Sequence, residues 1–353
     1  MQTFSGIEYL CIDIATNYGL GDKNWDERID WTLSYEPQLL KMLKAIESDP
    51  KYVSEFMLEA DEPALFFAGV RALRDAREGR ASGYPISLDA TSSGVQILAC
   101  LTGCEQSAAL CNVVDTGRRE DAYTNIYQSM CAVLGDAVKI ARKETKRAIM
   151  TAFYNSTAVP KEVFGTGDLL RVFYERVEAM APGAWGLNEA LKALWKPMGL
   201  SHDWVLPDNF HVHVKVMTTK TKVVHMLNRP VLVELKENEG TKEGRSLSPN
   251  LVHSIDGMVV REMHRRCDYD VDQIIALTKA LLEPSRRPGT GLFRVKDDMV
   301  KTLWDHYQRT KFLSARILEY LDEDNLGLVD RQRIITLLKT MPEKPFKVMS
   351  IHD

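Results

Sequence analysis

The chain has 353 residues, 45% of them apolar and 27% charged, with a formal net charge of −4, a composition that leaves room for two or three packed modules. No apolar run approaches the roughly 18 residues of a membrane-spanning helix and no basic-then-apolar leader opens the chain, so no membrane span is expected and a cytoplasmic location is. The net acidity excludes a uniformly basic nucleic-acid-coating surface, because phosphate binding is driven by Lys and Arg displacing counterions; basic runs at 139–147, 215–222, 261–266 and 286–294 leave only local patches for that role, unless a partner supplies it.

Residues 1–80 read as helical. Apolar positions recur at helical spacing from Ile7 to Tyr18, and the two glycines of Asn17-Tyr-Gly-Leu-Gly-Asp predict the turn that ends this helix. A second helix is expected from Trp25 to Trp31, with Asn24 or Asp26 as its cap, then Glu36 to Ala45, and then Pro63 to Arg77 with proline in its first turn. Pro85-Ile-Ser-Leu-Asp alternates and favours a short strand ending at Asp89, and a packed helix follows from Ser93. Six cysteines (11, 100, 104, 111, 131, 267) lack a paired Cys-x-x-Cys and read as reduced core thiols, with a metal site as the second reading.

Arg142 to Tyr154 contains nothing that breaks a helix. At 3.6 residues per turn Arg142, Lys146 and Met150 stack along one face, with Tyr154 a turn further on. A solvated basic helix packing Ile149, Met150 and Phe153 on a core would look the same. Three other stretches change its meaning: Pro85-Ile-Ser-Leu-Asp-Ala-Thr-Ser-Ser-Gly-Val-Gln, Pro249-Asn-Leu-Val-His-Ser-Ile-Asp-Gly, and Val348-Met-Ser-Ile-His-Asp. In this order, with the basic helix, they resemble motifs A, B and C of the single-subunit RNA polymerases of T-odd bacteriophages and mitochondria. The segments Asn17 to Trp31 and Trp204 to Phe210 resemble the same family.

The resemblance implies an α-rich α/β fold, the fingers and part of the palm of a right-hand polymerase. It implies two Mg²⁺ ions held by Asp89 and Asp353, with the backbone carbonyl of Ala90 facing a metal. Arg142 and Lys146 would hold the triphosphate, Lys146 could protonate the departing pyrophosphate, and Arg147 would be an accessory cation. Met150 would line the nucleotide site, Tyr154 would close over the incoming sugar and template base, and His253 would lie in the minor groove and hold Tyr154 in place. Where related DNA polymerases carry a Glu that blocks the ribose 2′-hydroxyl, this chain has Gly94, and His253 replaces their Gln, so ribonucleotides are the expected substrate.

Two departures are mild: Asn155 stands for the glycine after the motif B tyrosine, where asparagine still tolerates a left-handed backbone, and Ala90 for the glycine after the motif A aspartate. A larger one is the insertion at 268–345, with helical patterns at Val271 to Leu282, Val295 to Asp322 and Asp330 to Thr340. The Arg286-Arg-Pro-Gly-Thr-Gly turn lacks the ending of a phosphate loop, and Asp322-Glu-Asp-Asn-Leu-Gly has Arg333 where a calcium loop needs Glu. Both read as surface turns. His211 and His213 share one face of an alternating strand without a third ligand.

The expected organisation is a helical lead-in at 1–80, palm motif A at 81–104, fingers at 105–247 with the motif B helix 142–154, a palm/fingers segment with His253 at 248–267, the insertion at 268–345, and an incomplete motif C strand at 346–353. The family's promoter-binding domain, thumb and Asp-x-x-Gly-Arg motif have no counterpart in the sequence. The expectation is therefore the larger subunit of a split, heterodimeric RNA polymerase, acting on a DNA template, RNA and ribonucleoside triphosphates with a second subunit and a DNA-binding recruitment factor. The alternatives are a fragment of a DNA polymerase and a non-catalytic nucleic-acid-binding remnant.

Overall fold

The computed structural model describes residues 4–49, 51–88, 92–135, 138–227, 229–283 and 294–351. Among them the helices gather into three hydrophobic cores that follow chain order. None of these helices is long and apolar enough to cross a membrane.

The first core joins α1 (Gly6–Ala15), α2 (Trp25–Ser48), α3 (Glu55–Glu59) and α4 (Pro63–Arg77). Ser5 opens α1 by a reciprocal cap, its backbone N–H donating to Glu8 at 2.6 Å while its hydroxyl accepts from the Glu8 N–H at 3.4 Å. The expected turn after α1 is a π-helical one, Thr16–Leu20, with Gly19 at φ 121. The expectation of separate helices at 25–31 and 36–45 is corrected: α2 runs unbroken through Pro37. Its core residues lie on both sides of the proline, Ile29 and Thr32 before it and Leu39, Met42 and Leu43 after it, so tertiary burial outweighs the hydrogen bond that proline deletes.

The second core contains α5 (Ser93–Thr102), α6 (Glu105–Leu110), α7 (Ala122–Leu134), α8 (Arg142–Phe153), α9 (Ala158–Phe164), α10 (Asp168–Met180), α11 (Pro182–Ala193) and α12 (Leu247–Cys267). Between α11 and α12 the chain forms two antiparallel hairpins, β1 (Ser201–Val205) with β2 (His211–Lys215), and β3 (Met217–Met226) with β4 (Arg229–Asn238). The indole of Trp204 on β1 donates to Ser254 Oγ at 3.1 Å and so ties the first hairpin to α12. His213 pairs with Asp203 across the same hairpin.

The third core, from the expected insertion, packs α13 (Val271–Leu282), α14 (Val295–Thr310) and α15 (Arg331–Leu338) around two 3₁₀ turns. The helix expected to reach Asp322 stops at Thr310, where Lys311 takes a left-handed φ of 62°. The Asp322–Gly327 stretch is a turn whose Asp322 and Asp324 both pair with Arg294. An ion network fastens this core to α12: Asp208, fully buried, accepts from Arg261 at 2.7 Å and Arg265 at 3.0 Å, and Glu262 accepts from the Ala315 N–H at 2.8 Å and from Ser314. The Arg286-Arg-Pro-Gly-Thr-Gly turn lies outside the described residues.

The two strands expected at the palm are a second correction. The described parts of the expected strands, residues 85–88 and 346–351, belong to no ladder among the described residues. A strand exists only with a hydrogen-bonded neighbour; here the Ser87 N–H donates to the Asp13 carboxylate at 3.1 Å and the Phe346 N–H to the Cys267 carbonyl at 2.7 Å instead. The cysteines are free, as expected, but only Cys11 and Cys111 are buried, and Cys100 is exposed because α5 turns Val95, Leu98 and Ala99 inward.

Candidate active site

The basic helix of the sequence is α8, Arg142–Phe153. Its inward stripe, Thr145, Ala148, Ile149, Ala152 and Phe153, is buried, and this burial leaves Arg142, Lys146 and Met150 facing outward. Met150 is therefore not part of the core packing. The helix ends at Tyr154, and Asn155 takes the left-handed backbone, φ 63°, that a glycine would otherwise supply. The Asn155 side chain is buried and donates to the Arg245 carbonyl at 3.2 Å, in the loop that leads into α12.

Three helices meet at Tyr154. Its ring stacks on that of His253 from α12, with centroids 5.2 Å apart and planes 9° from parallel. Beneath lies Gly94 of α5: a Cβ built there would meet the Tyr154 hydroxyl oxygen at 3.2 Å, tighter than nearly all real contacts. Glycine thus suits the close approach, and a methyl group at 94 would need the tyrosine hydroxyl to give by a few tenths of an ångström. Asp256, one turn after His253, accepts from the Ser93 hydroxyl at 3.5 Å. Burial, with the charge of Asp256 and Tyr123 nearby, raises the Tyr154 hydroxyl above its ordinary pKa. Burial likewise raises Asp256, against the opposing pull of His253 and the Ser93 hydrogen bond.

The cations are arranged along α8 in a graded way. Arg142 donates to Asp121 at 2.6 Å and to Thr124 at 2.7 Å and 2.9 Å. Burial would raise Asp121, but the hydrogen bonds from Thr124 and the Arg142 charge hold it below the ordinary carboxylate value. Lys146 is exposed, and its ammonium lies 5.2 Å from the centre of the Tyr123 ring. Tyr123 in turn takes a hydrogen bond of 2.6 Å from Ser92, three positions after Asp89 in the sequence. Arg147 turns elsewhere, to Glu162 of α9 at 2.9 Å and Glu144 at 3.4 Å.

Of the sequence-predicted site residues the structure brings together Tyr154, His253 and Gly94, places Lys146 against Tyr123, keeps Arg142 on the same helix face paired to Asp121, and turns Arg147 to Glu162 and Met150 outward. Asp89, Ala90 and Asp353 lie outside the described residues. Among the described residues no group of three His, Cys, Asp or Glu side chains could hold a metal ion. Sequence reasoning missed Asp121, Tyr123, Ser92 and Ser93, and gave Asp256 no role. Only Asp121 carried a local signal, as the N-cap of α7 that accepts from the Tyr123 and Thr124 N–H groups.

The candidate site is thus a helix that leads two cations to an aromatic ring, stacked on a histidine over a glycine, in a helix-rich domain. Residues 2–164 match the family model for DNA-dependent RNA polymerase. It is 23% identical over 304 residues to a DNA-directed RNA polymerase of Pseudomonas phage phiKMV, covering 71% of this chain and 37% of that one. A probable DNA-directed RNA polymerase of Neurospora crassa is 24% identical over 315 residues, covering 71% and 34%, and one from Gelasinospora sp. (strain G114) is 25% identical over 171 residues, covering 44% and 19%. The chain spans about a third of the length of the first two relatives.

Proposed function

We propose that this chain is the catalytic subunit of a DNA-templated RNA polymerase that adds ribonucleotides to an RNA 3′ end. The observation that carries the reading is the Tyr154–His253 stack over Gly94. A flat aromatic platform suits a sugar and base, and the cations about two to three turns earlier on α8 suit the triphosphate. Lys146 and Arg142 bind and orient phosphate oxygens, and Lys146 is the proton donor to the leaving pyrophosphate. Arg142 must exchange Asp121 for phosphate, so that pair acts as an internal counter-ion.

Gly94 supports ribonucleotides over deoxynucleotides, because a side chain there would collide with the tyrosine that senses the sugar. The reading includes two Mg²⁺ ions, with Asp89, Asp353 and the Ala90 carbonyl as their ligands, on the strength of the resemblance alone; when bound they would activate the 3′-hydroxyl and steady the leaving group. It also includes the division into fingers (105–247) and partial palm, the location in the cytoplasm of a phage-infected cell, a second subunit that completes palm and thumb, and a recruiting DNA-binding factor. The exposed apolar side chains of the two unpaired palm segments, Leu88 and Met349 among them, are consistent with strands that await neighbours.

The test is extension of an RNA primer on a DNA template with Mg²⁺ and either ribo- or deoxynucleotides, comparing the chain alone with its co-purified natural complex. Ribonucleotide incorporation that Asp89→Asn abolishes is the expected result. Preference for deoxynucleotides would make the protein a DNA polymerase, and binding of primer–template without incorporation a non-catalytic remnant.

A further inference from the structure

Asp256 is the carboxylate of the site that no role described so far explains. It is half-buried on α12, beside a stacked aromatic pair, and among the described residues it accepts one hydrogen bond, the long one from Ser93. No cation pairs with it among the described residues. An ionised carboxylate offers about four acceptor positions, and a half-buried one is ordinarily satisfied more fully than this. The Tyr154 hydroxyl beside it also has no hydrogen-bond partner among the described residues. Acceptor capacity is therefore concentrated where Gly94 leaves space and Tyr154 provides a platform.

The charge pattern along α8 says which part of a ligand this capacity suits. Lys146 precedes Tyr154 by eight residues, about 12 Å of helix, so the cationic end and the carboxylate end are separated on the scale of a nucleoside triphosphate. Phosphate is attracted to the first and repelled from the second. A neutral hydroxyl donor is what an acceptor-only group next to an aromatic platform selects.

We infer that Asp256 is a specificity-determining residue which accepts a hydrogen bond from the 2′-hydroxyl of the incoming ribonucleotide, with Ser93 holding the carboxylate in place. The inference rests on the polymerase reading above and adds to it the group that recognises the hydroxyl directly. Gly94 permits the hydroxyl; Asp256 rewards it. No bond is made or broken at this residue, so its effect falls on the choice among sugars.

The experiment uses the natural complex and measures kcat/KM for ATP, 2′-deoxy-ATP and 2′-fluoro-2′-deoxy-ATP in primer extension, alongside equilibrium binding of the same nucleotides. Fluorine can accept but cannot donate, so the wild type should treat the 2′-fluoro analogue like the deoxynucleotide. Asp256→Asn should lower the ATP preference over 2′-deoxy-ATP by about tenfold, the worth of one charge-assisted hydrogen bond, and should improve relative use of the fluoro analogue, since the amide can donate to it. Ser93→Ala should shift the ratios the same way by less. An Asp256→Asn enzyme whose ratios stay within about twofold of wild type, in a complex that Asp89→Asn silences, overturns the role of Asp256 and leaves the polymerase reading standing. A wild-type complex that neither extends nor binds ATP overturns both.

Discussion

Two acidic sites along helix α12 are built on opposite principles. Near its C-terminal end Glu262 and Asp208 are buried and saturated: Asp208 accepts from Arg261 and Arg265, Arg316 donates to its backbone carbonyl at 2.8 Å, and Glu262 accepts from Arg265, Arg266, Ser314 and the Ala315 N–H. Less than two turns earlier Asp256 has one long hydrogen bond. The first arrangement is a joint, in which every lone pair has a donor because an unpaired buried charge would be costly. The second keeps capacity in reserve, as a site does before its ligand arrives.

The comparison can be tested by breaking the joint first. Asp208→Ala removes the carboxylate that Arg261 and Arg265 share, leaving Arg265 with Glu262, and should lower the unfolding free energy by about 3 kcal/mol, read as a lower urea midpoint; an unchanged midpoint would remove the distinction between joint and site. Lys146→Met should leave that midpoint alone and cut ribonucleotide incorporation about a hundredfold, as loss of a positioned acid or phosphate clamp does. Gly94→Ala should follow with a fall of about tenfold in kcat/KM and little change in stability, because the new methyl group must move Tyr154 by a few tenths of an ångström.

The smallest effect concerns pH, and here the two carboxylates differ in sign. Burial opposes ionisation of Asp208, but the hydrogen bonds and charges of Arg261 and Arg265 hold its pKa below the ordinary 3.8, so its contribution is full above that value and is lost as pH falls through the lowered one. Burial raises Asp256 above 3.8, so its ionisation costs stability as pH rises from 3.8 through the raised value. Asp256→Asn should therefore slightly stabilise the protein at neutral pH and flatten the pH dependence of unfolding just above the ordinary carboxylate range. A loss of stability at neutral pH would show that Asp256 belongs to the framework.

The sequence disclosed the features with short-range causes. The period of α8, the proline that starts α4, and the left-handed Asn155 each follow from local steric rules, and all three appear in the structure. The continuity of α2 was hidden because burial on both sides of Pro37 is a tertiary fact. The palm segments were read as strands from alternation alone, yet a ladder requires a neighbour that alternation cannot supply. In the candidate site, the family resemblance pointed to Lys146, Tyr154, His253 and Gly94; Asp121 showed only as a helix cap and Tyr123 not at all, because their part in the site comes from contacts across 21 and 23 positions of chain, to Arg142 and Lys146. Asp256 stood within a recognised motif, and only its sparse hydrogen bonding set it apart.

Asn155 does more than a glycine would at the end of α8. Glycine would reach the same φ and leave the loop before α12 unattached; the asparagine amide closes a circuit of 90 residues between Tyr154 and the helix that bears its stacking partner. In the language of chain statistics this pins a long loop whose closure entropy grows only slowly with its length. The β3–β4 hairpin can therefore lengthen or shorten at modest thermodynamic cost, while the Asn155 amide, together with Arg245 donating to Thr157, holds the base of the loop.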